Sequence, residues 1–363
     1  MNNPWDLKSQ MLEAIKENGG FVNCHAHFDK AYYITREGLD KSNLKMEEKW
    51  NMSDGIKRAS TQEEIEERIR RALDMLIAQG CKLTCTFVDA YDAVGHKAID
   101  AANVVKEEYK DKIKLITMTQ PLGGLLDENA RKLYEEITAK ADIAGGLPSK
   151  DRPNDDQSYD LLFEIAKKLD KPVFVHIDQE NNPNEHDSEK LIAAVKRHGY
   201  QNRTVAIHAL SVSAQPKEER MKIYKQFAEL GIAVVVCPSA VLSMRQLDEF
   251  TAPVHNSIAN VPEMIEAGVL VGLGVDNVCD FYEPFVDGDM WMELRMLMEA
   301  CRYYDFDQLV KIATVNGKEA PKPLRPIVRC ERRRASQRAS RFRRALAPAC
   351  LAQPDHLLVP TPG

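Results

Sequence analysis

The feature that most constrains the fold of this chain is an alternation of short apolar runs with longer amphipathic ones, from Gly20 to about Gly317. The apolar runs are rich in Val, Ile or Phe, or are bounded by Gly and Pro, as strands are. Eight strand candidates result: Phe21–Phe28, Lys82–Ala90, Ile113–Gln120, Asp142–Pro148, Pro172–Asp178, Thr204–Leu210, Ile232–Ser239 and Val269–Asp276. Continuous apolar strands that alternate with helices predict a parallel sheet covered by helices.

The segments between these strands carry helical patterns with recognisable ends. The clearest are Thr61–Gln79, Asp156–Leu169, Ser188–His198, Pro216–Leu230 and Asp289–Tyr303. Thr61 and Glu64 have the spacing of a capping box, and Gly80 is a natural stop. Ser188 is expected to cap its helix, which Gly199 ends.

Eight strand-and-helix units in about 300 residues predict an α/β fold of the (β/α)8 TIM-type barrel kind. The competing architecture is a doubly wound open sheet, which binds nucleotides through glycine-rich loops. Neither GxGxxG nor GxxxxGKS follows the first strand candidate. The barrel is therefore the better prediction, and it makes the carboxyl ends of the strands the expected place for chemistry.

Net charge divides the chain near Pro321. Residues 1–320 carry 39 Lys and Arg against 53 Asp and Glu, a net charge of −14, whereas residues 321–363 carry 10 against 2, a net charge of +8. An Arg-rich run such as Arg332–Arg334 can bind nucleic acid, but this segment has few aromatic side chains to stack on bases. We therefore expect no nucleic-acid partner. We interpret residues 321–363 as an Arg-rich tail that is disordered or comes from a shifted reading frame.

Composition also indicates where the protein works. The sequence has no run of about 18 apolar residues, so we expect no transmembrane helix and no membrane partner. Residues Met1–Gln10 are polar and lack the apolar segment of a signal peptide. The eight cysteines form no CxxC pair, which suits free thiols in a reducing compartment. We expect a cytoplasmic protein.

Polar side chains collect at the carboxyl ends of the strand candidates. They are His25 and His27, Asp89, Gln120, His176 and Asp178, His208, and Asp276. A His-x-His pair on a strand places both rings on one side, because side chains alternate with period two. With ligands from other strands, such as His176 and Asp276, the pair can hold one metal ion, and three histidines with a carboxylate suit Zn²⁺ or Fe²⁺. A structural histidine pair is the alternative interpretation of His25 and His27 taken alone.

Four motifs, in this order along the chain, resemble the amidohydrolase superfamily and specifically its cytosine-deaminase-like branch, which includes N-isopropylammelide aminohydrolase-type enzymes. They are HAHFDK (His25–Lys30), VHIDQEN (Val175–Asn181), AIHAL (Ala206–Leu210) and GLGVDN (Gly272–Asn277). ATVNGKEA (Ala313–Ala320) resembles the last helix of the family, so the resemblance covers about residues 18–318. It implies a metal-dependent hydrolase that uses a metal-activated water to cleave a C–N bond of a small, cyclic nitrogenous substrate, by deamination or by release of an amine or amide.

The resemblance also implies roles for individual residues. The positions that match the family's metal ligands are His25, His27, His176 and Asp276. Asp276 and His208 match residues that handle protons and developing charge, and Gln120 matches a glutamine that hydrogen-bonds the substrate. Gln179 and Asn277 stand where cytosine deaminases have carboxylates, so they are expected to bind substrate rather than to exchange protons. One divalent ion, Zn or Fe, is the implied cofactor.

Two other functions stay open at this point. The amides Gln179 and Asn277 are compatible with a catalytically impaired amidohydrolase-fold protein that serves as a binding protein or scaffold. A two-metal ester or lactone hydrolase would use a lysine in strand four, but Asp142–Pro148 contains none and Lys150 follows it in a polar loop. The expected partner is a small-molecule substrate, and the family relationship allows a homo-oligomer.

We therefore divide the chain into three segments: an N-terminal helix at 1–19, an amidohydrolase barrel at 20–320, and the tail at 321–363. Family members usually carry an accessory β-sandwich built from the segments that flank the barrel. Here Met1–Asn18 has the pattern of one amphipathic helix, and the residues after Ala320 show no strand alternation. The sandwich is therefore expected to be largely missing.

Overall fold

The computed structural model describes residues 3–44, 46–179, 182–243 and 258–319. Eight strands lie in this part of the chain, one at each predicted position. They are β1 (Val22–Asn23), β2 (Leu83–Asp89), β3 (Lys114–Gln120), β4 (Ala144–Gly146), β5 (Val173–Ile177), β6 (Thr204–His208), β7 (Ala233–Val236) and β8 (Val271–Leu273). Every neighbouring pair is parallel, as the apolar strands predict.

The strands follow each other in chain order around a closed barrel. Strands β1 to β3 form one hydrogen-bonded sheet and β4 to β8 form another. A parallel bridge between Met118 and Ile143 joins β3 to the residue before β4, and a second one between Ala26 and Asp276 joins the ends of β1 and β8. The predicted (β/α)8 barrel is therefore confirmed, and all strands of the described residues belong to it.

Helices cover the barrel between the strands. They are α1 (Leu7–Glu17), α2 (Met46–Ala59), α3 (Gln62–Ala78), α4 (Lys97–Tyr109), α5 (Glu128–Lys140), α6 (Asp155–Lys168), α7 (Asp187–His198), α8 (Lys217–Leu230), α9 (Pro238–Leu242), α10 (Val261–Glu266), α11 (Met290–Cys301), α12 (Phe306–Ala313) and α13 (Val315–Glu319). Helix α1 lies within Met1–Asn18, where the sequence predicts one helix. The five clearest helix predictions correspond to α3, α6, α7, α8 and α11.

The predicted helix ends are confirmed with one exception. The Thr61 hydroxyl accepts a hydrogen bond from Glu64 N at 3.3 Å, and the Glu64 carboxylate accepts one from Thr61 N at 3.0 Å, which completes the capping box. Gly199 ends α7 in the left-handed conformation, at φ 69°. The prediction that Ser188 caps α7 is wrong, because the helix already begins at Asp187 and the Ser188 hydroxyl donates a hydrogen bond to Asp178.

Two apolar layers hold the barrel together. Side chains from alternate strand positions, among them Cys85, Phe87, Met118, Phe174 and Ile207, fill the interior. The opposite strand faces pack against the helices in a larger layer. Because both strand faces are buried, the strands are apolar throughout rather than alternating, which is why they stand out in the sequence.

Two further expectations concern membrane-spanning helices and the tail. None of their helices is both long enough and apolar enough to cross a membrane. The proposed tail at residues 321–363 lies outside the described residues.

Candidate metal centre

The first strand delivers two histidines to the barrel interior through a break in its alternation. Val22 and Cys24 belong to the interior layer, but Ala26 belongs to the outer one, so the side-chain pattern shifts at His25. The His25 carbonyl accepts hydrogen bonds from the backbone N–H groups of both Val275 and Asp276, at 3.0 and 3.1 Å. As a result His25 and His27 are both buried on the same side, with ring centroids 4.9 Å apart.

Asp276 joins these two histidines to a third one. Its Oδ1 lies 3.1 Å from His25 Nε2 and 3.2 Å from His27 Nε2. Its Oδ2 lies 3.5 Å from Nε2 of His208, the last residue of β6. One carboxylate that follows β8 thus contacts two imidazoles that follow β1 and one that ends β6, as expected for residues at the carboxyl ends of barrel strands.

His176 in β5 completes the group. Its ring centroid lies 5.0 Å from that of His25, 5.5 Å from that of His27 and 5.6 Å from that of His208. Beneath the rings, Phe87 of β2 has its centroid 4.5 Å from His176, 5.1 Å from His25 and 5.5 Å from His27. The structure therefore brings together His25, His27, His176, His208 and Asp276, with an aromatic ring packed against three of the imidazoles.

These side chains fit a divalent ion. His25, His176 and His208 each offer one ring nitrogen within 4.8 Å of the others, and the same distance relates ligand atoms of His25, Cys237 and Asp276. Buried His25 Nδ1, His27 Nδ1 and His176 Nε2 have no hydrogen-bond partner in the described structure. Buried polar atoms without a partner are unfavourable, so a ligand that binds their lone pairs would remove this penalty.

The tautomer of His176 supports the same conclusion. Its Nδ1 lies 3.3 Å from the carbonyl oxygen of Gly146, which can only accept, so Nδ1 carries the proton and donates. The other nitrogen, Nε2, is then an unprotonated and unpartnered lone pair. A backbone carbonyl that orients a histidine in this way is a common support for metal-binding imidazoles.

The electrostatics keep three of the imidazoles, those of His27, His176 and His208, neutral and the carboxylate charged. Burial, with a contribution from the Lys30 charge, lowers the pKa of His27 to about 3, and burial lowers the pKa of His208 to about 4. Burial and the neighbouring histidines lower the pKa of His176 well below its usual value. Burial alone would raise the pKa of Asp276, but its contacts with the histidines outweigh this and hold that pKa well below the ordinary one. Neutral imidazoles and an ionised carboxylate are the forms that bind metal ions.

The backbone is strained where the ligand-type residues stand. Asp276 has φ 63°, His208 has φ 75° and the adjacent Ala209 has φ 49°, all in the left-handed region that L-residues rarely adopt. Such residues persist only where the surrounding structure holds them, and they concentrate at functional sites. The strain therefore supports a functional role for the carboxyl ends of β6 and β8.

One glycine in β8, Gly272, and one directly after it, Gly274, leave room for the end of β1. A Cβ atom on Gly274 would lie 2.6 Å from His25 Cβ and 3.0 Å from both His25 N and Cys237 Sγ. A Cβ atom on Gly272 would lie 2.9 Å from Cys24 Sγ. Because an ordinary carbon–carbon contact is about 3.5–4.0 Å, any side chain at Gly274 would displace His25.

The three predicted substrate-binding amides lie near the barrel's carboxyl end but make no hydrogen bond to the five clustered side chains within the described structure. Gln120 ends β3, and its Oε1 accepts a hydrogen bond from Lys30 Nζ at 3.2 Å. Gln179 is half-buried, with Nε2 3.5 Å from Ser149 Oγ. Asn277 follows Asp276, and its buried Oδ1 has no partner among the described residues.

Two other carboxylates at strand ends serve neighbouring elements instead. Asp178 accepts hydrogen bonds from the backbone N–H groups of Asp187 and Ser188, at 3.0 and 3.1 Å, and so caps α7 from outside the helix. Asp89 lies 2.7 Å from Lys57 Nζ and 3.7 Å from Lys30 Nζ. Neither carboxylate contacts an imidazole of the cluster in the described structure.

The sequence did not single out several residues that surround the cluster. Phe87 is one apolar residue among many in β2, and Cys237 follows the valines of β7 without any motif. Burial raises the pKa of Cys237 well above its usual value, which keeps it a neutral thiol. In the segment after β8, Glu283 is 3% exposed and its Oε2 has no partner in the described structure. Cys237 and Glu283 at least follow strand ends, whereas Phe87 lies within β2 and has no positional signal.

The structure is a (β/α)8 barrel in which four histidines and an aspartate converge at the strand ends. Such a group of side chains could hold a metal ion, which makes this chain a barrel protein with a candidate metal centre. Residues 19–322 match the model of the amidohydrolase family, so the chain belongs to that family. The predicted resemblance is thereby confirmed.

The chain is also similar to three individual proteins. It is 33% identical over 265 residues to an uncharacterised protein of Haemophilus influenzae, and the alignment covers 71% of this chain and 95% of that protein. It is 29% identical over 288 residues to N-isopropylammelide isopropyl amidohydrolase of Pseudomonas sp. strain ADP. That alignment covers 75% of this chain and 65% of that enzyme. A structure of 5-methylcytosine deaminase from Klebsiella pneumoniae liganded with 5-fluorocytosine shares the fold, with a TM-score of 0.76 at 23% identity over 83% of this chain and 74% of that one.

Proposed function

We propose that this protein is a metal-dependent hydrolase that cleaves a C–N bond of a small, cyclic nitrogenous substrate, by deamination or by release of an amine or amide. The observation that carries the proposal is the convergence of His25, His27, His176, His208 and Asp276, with three buried imidazole nitrogens left without a partner. The names of two similar proteins, an N-isopropylammelide isopropyl amidohydrolase and a 5-methylcytosine deaminase, support C–N hydrolysis on a nitrogenous ring.

The proposed ligands of one divalent ion, Zn²⁺ or Fe²⁺, are His25, His27, His176 and Asp276. When bound, such an ion supplies acidity to a coordinated water, whose pKa falls towards about 7. A single ion is supported by β4, whose residues are Ala144, Gly145 and Gly146, so that no lysine lies in this strand to bridge two ions. Three histidines and one carboxylate suit either Zn²⁺ or Fe²⁺.

The chain's own residues supply proton transfer and substrate binding. The Asp276 carboxylate is ionised and can accept a proton and return it to the leaving nitrogen. Neutral His208, with Nε2 3.5 Å from Asp276 Oδ2, can donate an N–H to negative charge that develops on the substrate. Gln120, Gln179 and Asn277 would hydrogen-bond the ring. Burial of the cluster excludes water and strengthens each of these interactions.

The proposal is tested by metal analysis and by turnover. The purified protein is expected to bind about one divalent ion per chain and to release ammonia or an amine from at least one of a panel of aminated pyrimidines, triazines and cyclic amides. Asp276→Ala should lose the ion and the activity, because it removes the carboxylate that contacts three histidines. Asp92→Ala, at an exposed carboxylate paired with Arg58, is the matched control and should retain both. A wild-type protein that binds no stoichiometric metal, even after reconstitution, would refute the proposed site.

A second function is supported by the amides at Gln179 and Asn277. Without a carboxylate at either position, the protein could bind a ring compound on a metal-containing barrel and leave it unchanged. Stoichiometric metal and calorimetric binding of a panel compound, with no product released, would favour this binding role over catalysis.

The cysteines indicate the cellular compartment in which the protein is expected to work. The cysteines of the described residues, Cys24, Cys81, Cys85, Cys237, Cys279 and Cys301, are all free thiols. Free thiols suit a reducing compartment, which supports a cytoplasmic location. We propose a small-molecule substrate as the partner of this centre, and size-exclusion chromatography with light scattering will determine whether the protein forms a homo-oligomer.

A further inference from the structure

A buried group of charged side chains lies beside the candidate metal centre. One of its lysines contacts an amide that is proposed to bind substrate. Lys30 is the last residue of a short 3-10 helix, Phe28–Lys30, that follows His27, and it is 5% exposed. Its Nζ lies 3.2 Å from Gln120 Oε1 and 3.7 Å from Asp89 Oδ1. Asp89 and Gln120 are paired across the ends of β2 and β3, so Lys30 reaches both strands at the level where substrate is proposed to bind.

The surrounding carboxylates keep Lys30 in place and charged. Burial would lower its pKa, but Asp89 and Asp29 outweigh burial and raise that pKa above the ordinary value. Asp89 is itself held by a second ammonium, Lys57, at 2.7 Å, and its backbone N–H donates to Asp29 Oδ2 at 2.9 Å. A buried ion pair with several partners holds a long side chain in one orientation.

The contact with Lys30 fixes the orientation of the Gln120 amide. An ammonium has three donors and no acceptor, so it can face only the carbonyl oxygen of a carboxamide. Turning the amide over would bring its NH2 group against a buried positive charge with no acceptor between them. Oε1 of Gln120 is therefore held on the side of Lys30, which uses one of its two lone pairs. Nε2 has no protein acceptor among the described residues and is the donor that the amide presents to a ligand.

We propose that Lys30 is a positioning residue that fixes the Gln120 amide with its NH2 group towards the ligand, so that the site prefers rings that present an acceptor at this edge. That acceptor is a carbonyl oxygen or an unprotonated ring nitrogen, whereas an amino or ring N–H group at the same edge would face another donor. The inference rests on the proposed function and narrows its substrate class. An amide that is free to rotate would accept either kind of ring, and the ion pair with Asp89 removes that freedom.

The test compares rings that differ only in a carbonyl or an amino group. Two pairs serve as probes: cytosine with 2,4-diaminopyrimidine, and ammelide with ammeline. For each pair the ratio of kcat/KM values, or of Kd values from calorimetry if a ring binds without turnover, is measured on the metal-loaded protein. An unpaired buried donor weakens binding substantially, so we expect wild type to prefer the carbonyl ring by about tenfold or more in at least one pair.

Four variants distinguish positioning from general structural support. Lys30→Met should bring the ratio close to one, because the amide can then turn, whereas Lys30→Arg, which also only donates, should restore the preference. Gln120→Glu should invert the preference, since one carboxylate oxygen stays with Lys30 and the other presents an acceptor to the ring. Lys106→Met is the control: it removes an ammonium that pairs with Asp142 and contacts neither Asp89 nor Gln120, and its ratio should equal that of wild type.

The outcomes separate this inference from the proposed function. If Lys30→Met binds metal and keeps the wild-type ratio, or if Gln120→Glu keeps the carbonyl preference, the positioning role is refuted while the hydrolase proposal stands. A Lys30→Met protein that fails to fold leaves the decision to Lys30→Arg and Gln120→Glu. If wild type neither binds nor converts any of the four rings, the inference is refuted, and the proposed function is then decided by the wider panel and the metal content.

Discussion

Substitution of Gly274 by alanine tests the close approach of β8 to the candidate metal centre. The added Cβ would lie 2.6 Å from His25 Cβ and 3.0 Å from His25 N and Cys237 Sγ. Since carbon atoms normally approach to about 3.5–4.0 Å, relief requires His25 or β8 to move by about 1 Å. His25 N belongs to the buried backbone that continues β1, and His25 Cβ is attached to it, so this movement meets backbone rather than a flexible side-chain end.

Two magnitudes follow from this contact. Overpacking of a filled core typically costs about 1–3 kcal/mol of unfolding free energy, and we expect Gly274→Ala to fall in this range. Metal coordination tolerates errors of about 0.2 Å, so a shift of His25 should weaken metal binding by about tenfold or more. Gly55→Ala is the matched control, because Gly55 lies inside α2 with nothing within 4 Å of an added Cβ. That change should instead stabilise the protein by about 0.5–1 kcal/mol.

Urea unfolding of the metal-free proteins gives the first magnitude, and competition with a chelator of known affinity gives the second. Gly274→Ala should unfold at lower urea than wild type, and Gly55→Ala at slightly higher urea. Gly274→Ala could instead unfold at the same urea concentration as wild type and bind its metal with the same affinity. The chain segments after β1 and β8 would then not approach each other this closely, and glycine would not be required at position 274.

Three further predictions concern the surroundings of the site and one helix end. Phe87→Ala should lower the free energy of unfolding by about 3–5 kcal/mol in urea titrations, because the ring packs against three imidazoles; a loss below about 1 kcal/mol would contradict this. Burial lowers the pKa of His208 from 6.5 to about 4, so the unfolded chain binds more protons between these pH values and stability falls as the pH drops through them. His208→Asn should therefore make the stability of the metal-free protein less dependent on pH, by up to about 1.4 kcal/mol per pH unit, whereas an unchanged slope would show that His208 is not buried in its neutral form. Thr61→Ala removes one half of the capping box and should lower the free energy of unfolding by about 1 kcal/mol, and equal urea midpoints would show that this cap is unimportant.

The barrel could be predicted because its determinants are local. Buried parallel strands are apolar throughout and their ends are marked by Gly and Pro, so all eight were visible in the sequence. The histidines and Asp276 could be found for the same reason, since chemistry in this fold stands where a strand ends. The helix starting at Gln62 was likewise predicted from a cap that is complete within four residues, Thr61 to Glu64.

Features that depend on distant contacts could not be predicted. Strand β1 is only Val22–Asn23, because the backbone after Cys24 turns towards β8 and places His25 rather than Ala26 in the interior. No local pattern encodes this shift. Ser188 resembles a helix cap, but the Asp178 carboxylate accepts from the helix N-terminus instead.

The orientation of the predicted amides was also beyond the sequence. Lys30 and Gln120 stand 90 positions apart, and only the closed barrel brings the ammonium onto the amide oxygen. The sequence predicts only that Gln120 hydrogen-bonds the substrate. The structure adds which end of the amide faces Lys30.

The junction between β1 and β8 links the chemistry of the centre to the entropy of the chain. His25 and Asp276 are separated by 251 positions, and their contact forms where the barrel closes. In the chain-entropy treatment of cross-links, tying together residues at such a separation is worth about 5 kcal/mol relative to an open unfolded chain. A divalent ion shared by ligands from both sides of this junction would act as a reversible cross-link of that kind. Removal of such an ion by a chelator would then weaken the contact between the two ends of the barrel. The ion proposed to activate water would therefore also stabilise the pairing of the first strand with the last.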